Sequence, residues 1–226
     1  AVPRKYGSDV IADMLELYNI PFAALNPGAS YRGLHDSIVN YKGNRPEIIE
    51  CPHEKVAVTL AHGYARAAGR PMAAILHDLV GLLHGTMGIY YAYTDQSPVL
   101  VLGASGPFDT TRRRPGIDWR HTSMDQGAVV REYTKWDDQP YSAACVPETV
   151  ARGYRIANTP PMGPVYLCFD AALQEDPLEQ DVPLPDVRRM LIPDPVAPNP
   201  QALQRVAEML VQAQRPVIMA EYVGRN

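Results

Sequence analysis

Apolar residues recur along the chain in two alternating rhythms, and that alternation predicts the fold class. Val10, Ile11, Met14, Leu15 and Tyr18 fall at helical spacing behind Ser8, which reads as an N-cap. The short run "PFAAL" then ends in "NPGAS", a strand giving way to a loop. Tyr31, Leu34, Ile38 and Val39 restore the helical spacing, and "EIIEC" reads as the next strand. In "CPHEKVAVTLAHGYARAAGRP", Ala57, Leu60, Ala61, Tyr64, Ala65 and Ala68 share one helical face, while Lys55, Thr59, His62 and Arg66 share another. Gly69 and Pro71 end that helix, as a C-terminal glycine followed by proline does.

The rhythm continues with strands at "MAAILH" and "PVLVLGAS" on either side of a helix, "GLLHGTMGIYYAYTDQ". Residues 105–121, rich in Gly, Pro and Arg, read as a long loop, followed by a helix over 123–132 and a short strand near "EYTKW". A helix "PETVARGYRIANT" and a strand "GPVYLCF" complete the unit. Almost wholly apolar strands between amphipathic helices predict an α/β fold, an open parallel sheet with helices on both faces. This first domain is expected over residues 1–170. Prolines crowd the next span, so residues 171–200 read as an extended linker. Beyond it, "PQALQRVAEMLVQAQ" is a helix and "RPVIMAEYVG" opens a strand with nothing to pair it. Residues 201–226 are therefore expected to begin a truncated second domain, and the chain to be a fragment.

Composition narrows the class. With 46% apolar and 20% charged residues the chain has the make-up of a soluble globular protein. A net charge of -4 argues against nucleic acid as a partner, because phosphate binding wants a basic face. No apolar run approaches the roughly 18 residues of a membrane span. Cys51, Cys145 and Cys168 lack metal-ligand spacing and suit reduced thiols, and the N-terminus shows no secretory pattern, so the cytoplasm is the expected location.

In an open parallel sheet, ligands bind beyond the carboxyl ends of strands, and "NPGAS", "CPHE" and "HDLVG" all fall on such ends. Asn26-Pro27-Gly28 allows a tight turn where backbone can approach a flat ligand. Glu54 opens a helix, where the macrodipole favours an acid whatever else it does. His77 ends a strand, either handling a proton near neutral pH or simply bonded to backbone. His77, Asp78 and His84 are too spread to argue for metal. Arg112, Arg113 and Arg114 read as a solvated loop, and Tyr90, Tyr91 and Tyr93 as packing or a subunit interface.

The same residues carry a resemblance. His53-Glu54, the "GYAR" of Gly63 to Arg66, Ser97-Pro98 and the "GPVYL" of Gly163 to Leu167 occur in an order that resembles one group of thiamine-diphosphate enzymes. The layout is that of their N-terminal pyrimidine-binding (PYR) domain, in the group of acetolactate synthase and benzoylformate decarboxylase. The resemblance implies a PYR-type thiamine-diphosphate-binding fold, with thiamine diphosphate as cofactor. It implies catalytic roles for Glu54, bonded to N1' of the cofactor's aminopyrimidine, and for His77. Pro27, Gly28, Glu54, Gly81 and His84 would contact the cofactor. A carboxyl in such an apolar pocket is expected to have its ionised form disfavoured. The implied reaction is decarboxylation or carboligation of a small-molecule 2-keto acid. Mg2+ would be held by a C-terminal domain outside this chain and supplied by a second subunit, which implies a homo-oligomer, at least a homodimer. FAD is conceivable in the full-length protein.

Departures from the group's pattern bear on the substrate. Where synthases carry "SGPGATN", this chain reads "HDLVGLLH": Gly81 survives, and His84 takes the asparagine's place. His77 falls at the position of an active-site histidine in benzoylformate decarboxylase, while that enzyme's serine is matched by Ala29, with Ser30 one step late. The alternatives are a C–C lyase like benzoylformate decarboxylase or benzaldehyde lyase, and a non-catalytic homologue kept for assembly.

Overall fold

Six strands form one wholly parallel sheet: β1 (Phe22–Leu25), β2 (Glu47–Glu50), β3 (Ala73–Ile75), β4 (Leu100–Ser105), β5 (Trp136–Asp138) and β6 (Val165–Asp170). Their order across the sheet is β2-β1-β3-β4-β6-β5. The computed structural model describes residues 3–194 and 196–221, and the chain falls into two units, Ala1–Ile192 and Pro193–Asn226.

The sheet is buried on both faces, which is why its inner strands read as unbroken apolar runs. Ala23, Leu25, Ala73, Ile75, Leu100, Leu102, Val165 and Leu167 point to one core, shared with α1 (Gly7–Leu17), α2 (Arg32–Asp36) and α6 (Val146–Asn158). Their sequence neighbours Ala24, Ala74, Leu76, Val101, Tyr166 and Cys168 point to the other, shared with α3 (Glu54–Ala68) and α4 (Asp78–Thr94). The period of two along each strand sorts side chains between the layers. At the edge, β2 instead exposes Glu47 and Glu50, charges that discourage pairing with another strand. Gly69 closes α3 at φ 68°, the left-handed cap expected of it. Cys51, Cys145 and Cys168 are free thiols. No helix among the described residues is long and apolar enough to cross a membrane.

Several local expectations are corrected. Ser8 lies inside α1, where its hydroxyl accepts a 2.7 Å bond from Ser37. The helix entrance is held by Asp9, whose carboxylate takes the Lys5 N–H at 2.7 Å and the Tyr6 N–H at 3.1 Å. The second helix is short, and α2 widens into a π-turn over Ser37–Tyr41. The expected loop at 105–121 contains α5 (Ile117–His121). No continuous helix spans 123–132; Gly127–Val129 and Arg131–Tyr133 are separate 3-10 turns. The reason is Gln126, whose side chain turns into the core and ties the backbone there against the helical spacing.

The segment after β6 is not all extended. Asp170 caps α7 (Ala171–Glu175), accepting from the Ala172 N–H at 2.6 Å. Leu178, Val182 and Met190 then pack on the first core. Proline forbids regular structure there without keeping apolar side chains from burial. In the second unit, α8 (Pro200–Gln212) is capped by Asn199, which accepts the Gln201 and Ala202 N–H groups. The strand expected at "RPVIMAEYVG" is absent over residues 215–221, and the rest of it lies outside the described residues.

Candidate functional site

From β1 the chain moves outward to β2 and then crosses back over β1 to β3, so the strand order reverses between β1 and β3. A crevice opens beyond the carboxyl ends at such a reversal, and it is the usual ligand position in a doubly wound sheet. Leu25 is in register with both Glu50 and Ile75, so three strands end level. The residues that follow them emerge together: Asn26 after β1, Glu54 after β2, His77 after β3.

Glu54 is the first residue of α3 and only 6% exposed. Its Oε1 accepts a 3.1 Å bond from Asn26 Nδ2, and its Oε2 lies 3.4 Å from His84 Nδ1. Asn26 is itself held by Tyr31, whose hydroxyl donates to its backbone carbonyl. Burial pushes the Glu54 carboxyl up, but its own backbone N–H, the Asn26 amide and His84 together outweigh burial and hold it below its usual value. This corrects the expectation of a disfavoured ionised form: a helix entrance supplies donors that an apolar pocket would not. Burial, reinforced by the charge of Glu54, pushes the Tyr31 phenol well up, so it stays a donor.

His77 lies two residues beyond β3 and is half-buried. Its Nδ1 lies 2.9 Å from Ser30 Oγ and takes the Ser30 N–H at 3.4 Å. A backbone N–H can only donate, and the Asp78 N–H already occupies a lone pair of Ser30 Oγ at 3.0 Å. The Ser30 N–H makes Nδ1 an acceptor, so neutral His77 carries its proton on Nε2 and the Ser30 hydroxyl donates to Nδ1. Burial lowers the His77 pKa, partly offset by the Asp78 carboxylate. His121 of α5 meets the His77 ring edge-on at 5.4 Å, and its own Nδ1 is buried without a partner.

Two glycines shape the space. A Cβ on Gly28 would fall 2.5 Å from His77 Cβ, and one on Gly81 would fall 3.3 Å from both Cγ and Oε1 of Glu54. Only glycine lets the "NPG" turn lie against His77 and leaves the face of the carboxyl uncovered. Pro27 is exposed on the same turn, and His84 is 61% exposed at the rim.

Behind His77, Asp78 begins α4 at φ 33°, an uncommon conformation for a residue with a side chain. Its buried carboxylate accepts from the Leu79 N–H at 2.7 Å and from Gln126 Nε2 at 2.8 Å. Gln126 also donates to the Ala104 carbonyl and accepts from the Tyr166 hydroxyl at 3.1 Å. Sequence reasoning named Glu54, His77, Gly28, Gly81 and His84 but missed Ser30, Tyr31, His121 and Gln126 as parts of this edge. Only Ser30 left a signal, as a hydroxyl one place from an expected serine.

Residues 5–129, more than half of the chain, match the family model described as "Thiamine pyrophosphate enzyme, N-terminal TPP binding domain". The chain belongs to this family. Among relatives, benzoylformate decarboxylase of Pseudomonas aeruginosa is 26% identical over 169 residues, covering 74% of this chain and 30% of the relative. A probable 2-ketoarginine decarboxylase of the same organism is 28% identical over 190 residues, covering 84% and 32%. Acetolactate synthase of Bacillus subtilis is 23% identical over 221 residues, covering 98% and 37%. The chain thus spans about a third of the length of these curated relatives. The solved thiamine diphosphate-dependent 4-hydroxybenzoylformate decarboxylase of Rhodococcus jostii RHA1 superposes with a TM-score of 0.76 at 20% identity, over 94% of this chain and 38% of that one. It shares the fold of this thiamine-pyrophosphate domain.

Proposed function

We propose that this chain is the pyrimidine-binding domain of a thiamine-diphosphate enzyme that acts on a small 2-keto acid by decarboxylation or carboligation. The observation that carries the reading is Glu54: a carboxyl buried at the strand-order reversal, poised by Asn26 and left uncovered by Gly81. Those features fit an aminopyrimidine, which is flat and offers a ring nitrogen to hydrogen-bond. The Glu54 carboxylate would accept a hydrogen bond from the protonated form of that nitrogen, with the Pro27–Gly28 turn, Gly81 and His84 beside the ring. Once bound, the cofactor supplies an electron sink for cleavage next to a carbonyl. His77, with its proton on Nε2, would hold or pass a proton at a substrate oxygen. That histidine favours a decarboxylase over a synthase. A benzaldehyde-lyase-like C–C lyase uses the same parts, and the altered "HDLVGLLH" segment leaves a non-catalytic homologue kept for assembly as the remaining alternative.

The rest of the machinery lies elsewhere. In this reading a pyrophosphate-binding domain of a second subunit holds the diphosphate and Mg2+, and FAD is a further cofactor open to the full-length protein. Val56, Leu83, Met87, Tyr90 and Tyr91 expose apolar surface on α3 and α4. That surface supports a homodimer meeting along these helices, and the three free thiols fit the cytoplasm. The test is Glu54→Gln in the full-length protein. Exchange of the bound cofactor's C2 proton, followed by NMR, should slow by about 100-fold or more while the circular dichroism stays unchanged. Exchange at the original rate would leave the assembly reading.

A further inference from the structure

The edge that holds Glu54 also gathers two imidazoles. His53, Glu54 and His84 each bring one ligand atom to within 4.8 Å of the other two. His84 Nδ1 and Glu54 Oε2 are 3.4 Å apart. Two ligands on one tetrahedral dication, with bonds of about 2.0–2.2 Å, stand at about that separation. The rings of His53 and His84 stack with centroids 5.0 Å apart, and both residues are exposed, so rotation about their side-chain bonds can close the remaining gap. Glu54 is the anchored ligand, since Asn26 holds Oε1 and leaves Oε2 facing His84. Ligation through His53 Nδ1 would cost the 3.1 Å bond that this nitrogen accepts from the Lys55 N–H.

Donor chemistry selects the ion. Two imidazoles with one carboxylate are the ligand set of several three-residue zinc sites, which leave a fourth position for water. Imidazole nitrogen suits Zn2+, Cu2+ and Ni2+, whereas Mg2+ demands oxygen ligands in a near-ideal octahedron. We propose that His53, Glu54 and His84 form a binding site for a transition-metal dication of the Zn2+ class, and that its occupancy withdraws the Glu54 carboxylate from the cofactor. The site itself needs only side chains of this chain; the competition rests on the function proposed above.

Co2+ is the probe, because its visible d–d absorption reports coordination number directly. Titrating the metal-free protein with Co2+ should produce the intense bands of a four- or five-coordinate ion. Zn2+ should abolish them at one equivalent, and millimolar Mg2+ should leave them. His53→Ala and His84→Asn, both at exposed positions and checked for an unchanged fold, should each weaken binding by about tenfold or more. Absent bands, or bands that survive both substitutions, overturn the site. In a second arm, Zn2+ should raise the apparent Kd of thiamine diphosphate for the full-length protein but not for the His53→Ala/His84→Asn variant. An unchanged Kd overturns the competition. Full-length protein that binds no thiamine diphosphate with Mg2+ present and Zn2+ absent would sink the cofactor reading and leave the metal site standing on its spectrum.

Discussion

Ser30 Oγ lies 2.9 Å from His77 Nδ1, and the same oxygen receives the Asp78 N–H at 3.0 Å. One hydroxyl thereby joins the loop after β1 to the start of α4, while the Ser30 N–H fixes which nitrogen of His77 bears the proton. The 3-10 turn at Ala29–Tyr31 is what points this oxygen at His77.

Ser30→Ala removes both contacts and leaves the buried Asp78 N–H without an acceptor. Destabilisation of about 1–3 kcal/mol is expected from urea unfolding. Nitrogen chemical shifts should show His77 still as the Nε2–H tautomer, because the Ser30 N–H to Nδ1 is kept, with the Nδ1 resonance moved by loss of its hydroxyl partner. An unmoved Nδ1 resonance would remove the Ser30 hydroxyl from the site.

Gly28→Ala and Gly81→Ala should separate folding from binding. The first places a methyl 2.5 Å from His77 Cβ, closer than such atoms approach, and overpacking of this kind costs roughly 1–3 kcal/mol. The second makes contacts of 3.2–3.3 Å to His77 and Glu54, which small shifts absorb. Its thermal midpoint should stay near that of the parent while calorimetry in the full-length protein shows weaker binding of thiamine diphosphate.

Acidification should weaken the fold in two windows. His77 and Glu54 both have folded-state pKa values below their ordinary 6.5 and 4.5, so the unfolded chain binds more protons than the folded one as pH falls through each value. The His77 contribution is lost below about pH 6.5 and the Glu54 contribution below about pH 4.5. Unfolding free energies measured across this range should lose the upper slope in His77→Gln and the lower one in Glu54→Gln.

Asp78 has the opposite sign. Burial raises its pKa, so its favourable contribution is complete below its ordinary value of 3.8 and is lost as pH rises through the folded value. Asp78→Asn keeps an acceptor for Gln126 and tolerates φ 33°. It should raise stability at neutral pH, on the order of 1 kcal/mol, with the gain shrinking in acid. A loss at neutral pH would mean that the ionised carboxylate holds this turn.

The level strand ends draw the line between what could be read in the sequence and what could not. The parallel, doubly covered sheet was legible because strands buried on both faces must be apolar throughout, as "PVLVLGAS" and "GPVYLCF" are. His77 was legible because it follows such a strand, and Glu54 because the edge strand "EIIEC" delivers it to the same end of the sheet. The helix expected over 123–132 was not, because a buried glutamine bonded to Asp78, Ala104 and Tyr166 overrides local spacing.

By itself, then, the sequence determined the layers, the strand-to-helix alternation and the acid and histidine at one sheet edge, since these follow from local periodicity and from rules that hold for any such sheet. Tertiary structure alone decided the contacts across that edge: Asn26 with Glu54, Ser30 with His77, His84 within 3.4 Å of the carboxyl. It also decided the direction in which Glu54 titrates, because the balance between burial and nearby donors is a matter of distances between segments far apart in the chain.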